Sequence, residues 1–79
     1  MRRIFMFDID GTLTPARQKM TEKFTKFFLE FCKKNMVYLV TGSDHDKVLE
    51  QVPADVLNLV IGVFACSGNQ YWEGESLVY

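Results

Sequence analysis

The chain has little net charge, few cysteines and no long apolar run, and each absence closes off a class of function. Nine Lys and Arg stand against ten Asp and Glu. A balance this even supplies no field for holding nucleic acid or an acidic membrane surface. The pair Arg2-Arg3 is too short for a nucleic-acid arm and reads as a solubilising flank of the strand that follows. No apolar stretch approaches the roughly 20 residues that a membrane-spanning helix requires. Met1-Arg2-Arg3 precedes only a short apolar run before Asp8, so no secretory signal is expected. Cys32 and Cys66 lack metal-type spacing and read as buried, reduced thiols, which makes a cytoplasmic location the expectation. Internal repeats, low-complexity tracts and interdomain linkers are missing as well.

What remains is a small globular chain. Hydrophobic residues make up 48% of it, which excludes a disordered tail. Seventy-nine residues suffice for one domain, although at that size the core is marginal. The most informative stretch runs Ile4-Phe5-Met6-Phe7-Asp8-Ile9-Asp10-Gly11-Thr12-Leu13-Thr14. A continuous apolar segment is how a buried parallel strand reads. In open α/β sheets, chemistry sits just past the carboxyl ends of such strands. Asp8 stands at that place, with Asp10 one residue beyond it. Gly11 permits a sharp turn that brings backbone N–H groups toward a bound anion. A polar turn alone would explain Asp10-Gly11, but not an acid set directly against four apolar residues.

The pattern Asp-x-Asp-Gly-Thr-Leu-Thr after an apolar strand resembles the signature of the haloacid dehalogenase (HAD) superfamily of phosphotransferases. Phosphoryl transfer needs a nucleophile, a cation against the phosphate charge, and proton management at the leaving oxygen. Asp8 suits the nucleophile, giving an aspartyl-phosphate intermediate. Asp10 suits the general acid and base. Mg²⁺ takes oxygen ligands and few protein carboxylates. The Asp8 side chain and the Asp10 carbonyl match that demand, and the resemblance implies the same pair. Backbone N–H groups around Ile9, Asp10 and Gly11 are candidates to hold the phosphoryl oxygens, while Thr12 is assigned to the turn.

Further along, Arg3–Phe7 is expected as the first strand, with the signature loop extending to Pro15-Ala16-Arg17-Gln18. A helix opens after Thr21, its N-cap, and carries Phe24, Phe27, Phe28, Phe31 and Cys32 on the face packed against a sheet. Lys33 and Lys34 suit its C-terminal dipole, and Asn35 ends it. Met36–Val40 reads as a second strand and is followed by Thr41-Gly42-Ser43-Asp44. A second helix runs from Asp44 to about Gln51, close to Pro53. An irregular connection with Asp55 and Asn58 then leads to a third strand, Leu59–Phe64. Tyr71-Trp72 and Leu77-Val78-Tyr79 form a hairpin with Gly74 near its tip. Flanked by Asp44, Asp46 and Lys47, the single histidine, His45, is expected on the solvent side of the second helix. Tyr71-Trp72 is expected to cover the core.

Alternating strands and helices imply right-handed crossovers and a parallel sheet. The expected architecture is a Rossmann-like, three-layer α/β/α core with a C-terminal hairpin. The ends of strands one and two then share a rim, so Asp8, Asp10, Thr41 and Ser43 can converge. The resemblance implies that Thr41, in a Thr-Gly-x motif with Gly42, bonds the transferring phosphoryl group, with Ser43 as a second candidate. Capping of the second helix by Ser43 or Asp44 is compatible with that role.

Three segments resemble one branch more closely, the eukaryotic-type phosphomannomutases. They are Asp10–Thr21, Gly42–Val52 and the hairpin after the third strand. The implied reaction interconverts mannose 6-phosphate and mannose 1-phosphate, with Mg²⁺ and a bisphosphorylated hexose. Arg17 and Gln18 are implied at the loop or the sugar phosphate, although the residues alone allow Arg17 to be a surface cation. Two departures stand out. Thr41-Gly42 replaces a more usual Gly-Gly and is closer to related sugar-phosphate phosphatases, the alternative function. Ser67-Gly68-Asn69 stands where Glu-Asn-Gly is usual. A third possibility is a non-catalytic module that binds phosphate or a partner strand. The family's catalytic lysine, acidic metal motif and cap domain find no counterpart in these residues. The chain is therefore expected to be part of a HAD-like core, weak or inactive by itself, with an open sheet edge able to self-associate.

Overall fold

The computed structural model of the protein describes residues 3–14 and 19–79. The first strand, β1 (Ile4–Asp8), pairs in parallel with β2 (Met36–Val40), and β2 pairs in parallel with β3 (Gly62–Ala65). The antiparallel strands β4 (Gln70–Glu73) and β5 (Ser76–Leu77) extend the sheet in the order β1-β2-β3-β4-β5. The Ile4↔Met36 to Asp8↔Val40 register sets the ends of β1 and β2 level.

Between the first two strands lies α1 (Glu22–Lys34). The Thr21 hydroxyl accepts from the Phe24 N–H at 3.2 Å, and Asn35 closes the helix in extended conformation. Both ends fall where local capping chemistry places them. Of the aromatic stripe, Phe28 is buried, and Phe7 packs edge-on against Phe28 and Phe31. Phe27 departs from expectation: it is 64% exposed. The covered stripe is narrower than the apolar one, since a short sheet edge under α1 cannot reach every ring.

The second helix, α2 (His45–Gln51), is capped by Asp44, whose carboxylate accepts from the Lys47 N–H at 3.0 Å. After it comes a helix, α3 (Ala54–Leu59), in place of the expected irregular connection. Pro53 precedes it, where a missing N–H costs nothing. Val56, Leu57 and Val60 are buried, and the Val60 N–H closes the helix on the Val56 carbonyl. Leu59 therefore belongs to a helix, and the third strand begins at Gly62 instead. Glycine lets the Tyr71 ring lie where a Cβ would otherwise displace it.

His45 also differs from expectation. It is 6% exposed and stacks on Trp72 with ring centroids 3.7 Å apart, its Nε2 3.2 Å from the Gly74 carbonyl oxygen. Its neighbours in sequence are charged, but its neighbours on the helix face are the buried Val48 and Gln51, three and six residues on. Helical spacing outweighs local composition. The ring clamps the β4–β5 hairpin to α2.

All three α-helices among the described residues lie on one face of the sheet. Phe5, Phe7, Val37, Leu39, Val63 and Trp72 point to it, by register and by the contacts just described. Cys32 is buried there, and burial pushes its thiol up to about 11. It stays protonated and unreactive at neutral pH. Cys66 is half-buried and likewise free. The opposite face carries Ile4, Met6, Tyr38, Phe64, Tyr71 and Tyr79, with Ile4 67% and Met6 61% exposed. Two of the three expected layers are thus present among the described residues, and β1 forms one edge of the sheet. No helix among the described residues is long and apolar enough to cross a membrane.

Candidate active site

The end of β1 sets the layout of the signature. Asp8, the last residue of the strand, and Asp10, one residue into the turn, are both exposed, on either side of the fully buried Ile9. The Ile9 N–H donates to the Val40 carbonyl at 3.1 Å and carries the β1–β2 ladder one residue past the strand. The chain then turns back through Gly11, whose φ of +79° only glycine adopts freely. A parallel bridge between Asp10 and Thr14 closes the turn. The Thr14 N–H donates to the Ile9 carbonyl at 3.1 Å, and the Gly11 N–H to the Thr14 carbonyl at 2.8 Å. Leu13 is buried beneath as the second anchor.

This geometry redistributes the candidate anion contacts. The Ile9 and Gly11 amides, both placed at phosphate by the sequence reading, already donate to backbone carbonyls. The same bridge turns the N–H and C=O of Asp10 to the side away from Thr14. Thr12 is exposed, and Thr14 rather than Thr12 fastens the turn, its hydroxyl donating to the Ile9 carbonyl at 3.4 Å.

Asp10 has a partner that the sequence reading did not single out. The Gln51 side-chain amide, 2% exposed, donates from Nε2 to Asp10 Oδ1 at 2.5 Å. The Gln51 carbonyl accepts from the Met20 N–H at 3.0 Å, so the end of α2 holds both sides of the signature loop. Its spacing from His45 and Val48 was the available signal: a glutamine on the buried face of a helix needs a polar partner. Replacement of Gln51 by leucine should leave Asp10 exposed but unaligned. In any form of the protein that turns over, kcat is expected to fall about 100-fold, as for a misplaced group. An unchanged kcat would remove Gln51 from the site.

On the neighbouring strand, Thr41 is 4% exposed. Its N–H donates to the Phe64 carbonyl at 2.9 Å, and its hydroxyl oxygen accepts from the Ser43 N–H at 3.1 Å. That leaves the hydroxyl hydrogen to donate. Gly42 is exposed and Ser43 half-exposed in the turn that Asp44 then caps. The level register of β1 and β2 brings this turn beside Asp8. Arg17, and the loop from Pro15 to Gln18, lie outside the described residues.

The donor set fits Mg²⁺ in part. An exposed strand-end carboxylate and an adjacent carbonyl suit an ion that keeps several waters and takes phosphate oxygens besides. Among the described residues there is no cluster of three His, Cys, Asp or Glu that would hold a metal by itself.

No family model matches the chain. Phosphomannomutase 1 from Mus musculus is 38% identical over 79 residues, covering 96% of this chain and 30% of its own length. A probable phosphomannomutase from Caenorhabditis elegans is 40% identical over 63 residues, covering 80% of this chain and 25% of that protein. Among solved structures, a HAD subclass IIB sugar phosphatase covers the whole chain with a TM-score of 0.63 at 25% identity, and 31% of its own chain is matched. A haloacid dehalogenase-like hydrolase from Bacteroides thetaiotaomicron superposes with a TM-score of 0.68 at 14% identity over 99% of this chain and 30% of its own. The fold is that of a HAD-like core with a C-terminal hairpin. Within that class the sequence is phosphomannomutase-like, and it corresponds to the N-terminal part of such enzymes. The chain spans about 30% of the length of the mouse relative.

Proposed function

We propose that these residues serve a Mg²⁺-dependent phosphotransferase that acts on sugar phosphates through an aspartyl-phosphate. The specific reading is a phosphomannomutase that interconverts mannose 6-phosphate and mannose 1-phosphate. The observation that carries it is the outward-facing pair Asp8 and Asp10, with Asp10 oriented by Gln51, level with the Thr41 turn. A carboxylate oxygen of Asp8 attacks phosphorus, and the bond from phosphorus to the ester oxygen breaks. Asp10 donates the proton to that leaving oxygen. In the return step Asp10 accepts the proton of the incoming sugar hydroxyl as that oxygen takes the phosphoryl group from Asp8. Thr41, with Ser43 and Gly42, supports the phosphoryl oxygens. Ile9 and Gly11 contribute chiefly by shaping the turn. Mg²⁺, held by the Asp8 carboxylate and the Asp10 carbonyl, supplies charge neutralisation. In a form of the protein that turns over, incubation with a bisphosphorylated hexose and Mg²⁺ should leave a hydroxylamine-labile phosphoryl group on Asp8, located by peptide mapping. Label elsewhere, or turnover without label, would overturn the reading.

A second reading is favoured by Thr41-Gly42 and by the sugar phosphatase likeness: hydrolysis of the aspartyl-phosphate by water. Release of inorganic phosphate from mannose 6-phosphate, without mannose 1-phosphate, would select it. We further propose that the 79 residues are part of a HAD-like core and are weak or inactive alone, because little of the charge neutralisation is present. Two free cysteines accord with a reducing cytoplasmic setting. Taken alone, the chain should self-associate along the free edge of β1 and the bare apolar face. Sedimentation velocity should show mass rising with concentration; a monomer throughout would contradict this.

A further inference from the structure

We propose that Ser67 is a third hydroxyl contact to the phosphoryl group. The inference rests on the phosphotransferase reading above and adds a residue that neither the signature nor the Thr41 turn includes. After β3 the chain makes a single turn, Cys66–Gly68, in which all three residues have positive φ: 53°, 55° and 89°. Gly68 adopts this freely, whereas Cys66 and Ser67 sit in a region that side chains disfavour. Two hydrogen bonds to the neighbouring loop hold them there. The Cys66 N–H donates to the Ser43 carbonyl at 2.8 Å, and the Ser67 N–H to the Thr41 carbonyl at 3.1 Å. Those carbonyls flank Gly42, so the left-handed turn is built onto the candidate phosphate loop.

The position of the Ser67 side chain follows from that attachment. Its Oγ lies 3.5 Å from where a Cβ on Gly42 would be. Ser67 is exposed, and among the described residues no hydrogen bond is made by its hydroxyl. An unused hydroxyl on a disfavoured backbone beside the Thr41 turn is more than a loop tie requires, because glycine at this position would make the same amide bond to the Thr41 carbonyl without strain. A phosphoryl oxygen above Gly42 would be within reach of Ser67 as well as Thr41. The ligand class is a tetrahedral phosphomonoester or phosphoaspartate.

The substitutions Ser67→Gly and Ser67→Asn separate the hydroxyl from the turn. Glycine relieves the positive φ and deletes the hydroxyl. Asparagine tolerates left-handed backbone and keeps a polar group. The 79-residue chain is titrated with beryllium fluoride and Mg²⁺, and the amide shifts of residues 8, 41 and 67 are followed. Wild type should show one saturation curve at all three. Ser67→Gly should retain its circular dichroism spectrum and a Tm no lower than wild type, yet bind about tenfold more weakly, the loss of one charge-assisted hydrogen bond. Ser67→Asn should stay within about threefold of wild type. If Ser67→Gly binds like wild type while Asp8→Asn does not, the Ser67 inference is overturned and the nucleophile stands. If Asp8→Asn binds like wild type, the phosphotransferase reading fails first. Absence of saturable binding in wild type also overturns the inference, since the three loops would then form no anion site.

Discussion

Replacement of Asp8 by asparagine is expected to abolish the hydroxylamine-labile phosphoryl group and to lower turnover by about four orders of magnitude or more, as removal of a nucleophile does. The substitution is nearly isosteric and the side chain is exposed at the end of β1, so stability should change little. An amide oxygen is a poor nucleophile and carries no charge for Mg²⁺. Both functions are lost while the shape of the rim survives. Unchanged thermal unfolding with loss of the phosphoenzyme is the expected pair of results. Labelling that persists in Asp8→Asn would move the nucleophile elsewhere. A fall in both stability and labelling would instead give Asp8 a structural role that its exposure argues against.

The second large effect lies in the core. Leu39 is fully buried at the centre of β2, paired with Phe7 on one side and Val63 on the other. Leu39→Ala should cost about 2 to 5 kcal/mol, through lost transfer energy and a residual cavity. A chain of this size has only a few kcal/mol in hand. Leu39→Ala is therefore expected to be largely unfolded by circular dichroism at room temperature. Since Leu39 stands two residues before Thr41, anion binding should vanish with the fold. A cooperative transition with near wild-type midpoint would show that the core repacks around the site. The conservative Leu39→Met, close in volume, should cost less than about 1.5 kcal/mol and keep the fold.

Local signals carried far in this chain. The strand β1, the cap at Thr21, the end of α1 at Asn35 and the whole of β2 were readable because each depends on residues within one turn or one strand. The helix α3 was hidden by its length: Ala54–Leu59 spans less than two helical turns, too few to show the apolar spacing repeat, and Asp55 and Asn58 look like loop residues. His45 and Phe27 exchanged their expected environments for a different reason. What covers a helix face is decided by a distant segment, here Trp72 returning over α2, and not by the charges beside His45 in the chain. The same holds for Gln51, whose partner Asp10 lies 41 residues earlier. Of the candidate site, Asp8, Asp10, Thr41, Gly42 and Ser43 were named from sequence, while Gln51 and Ser67 emerged only from the folded chain.

By itself the sequence determined the chemistry on offer: an apolar strand that runs into Asp8-x-Asp10-Gly11, and a second strand that ends in Thr41-Gly42-Ser43. Alternation past Phe7 is enough to turn Asp8 away from the helices, because strand geometry is a local property. The tertiary structure decided which groups serve those acids. It spent the Ile9 amide on the β1–β2 ladder and the Gly11 amide on the turn, set Gln51 against Asp10, and bound the Cys66–Gly68 turn to the carbonyls around Gly42. Among the described residues it also left one sheet face without helices. These outcomes depend on where crossovers and the hairpin place segments that are far apart in sequence, and packing of the whole core sets that placement.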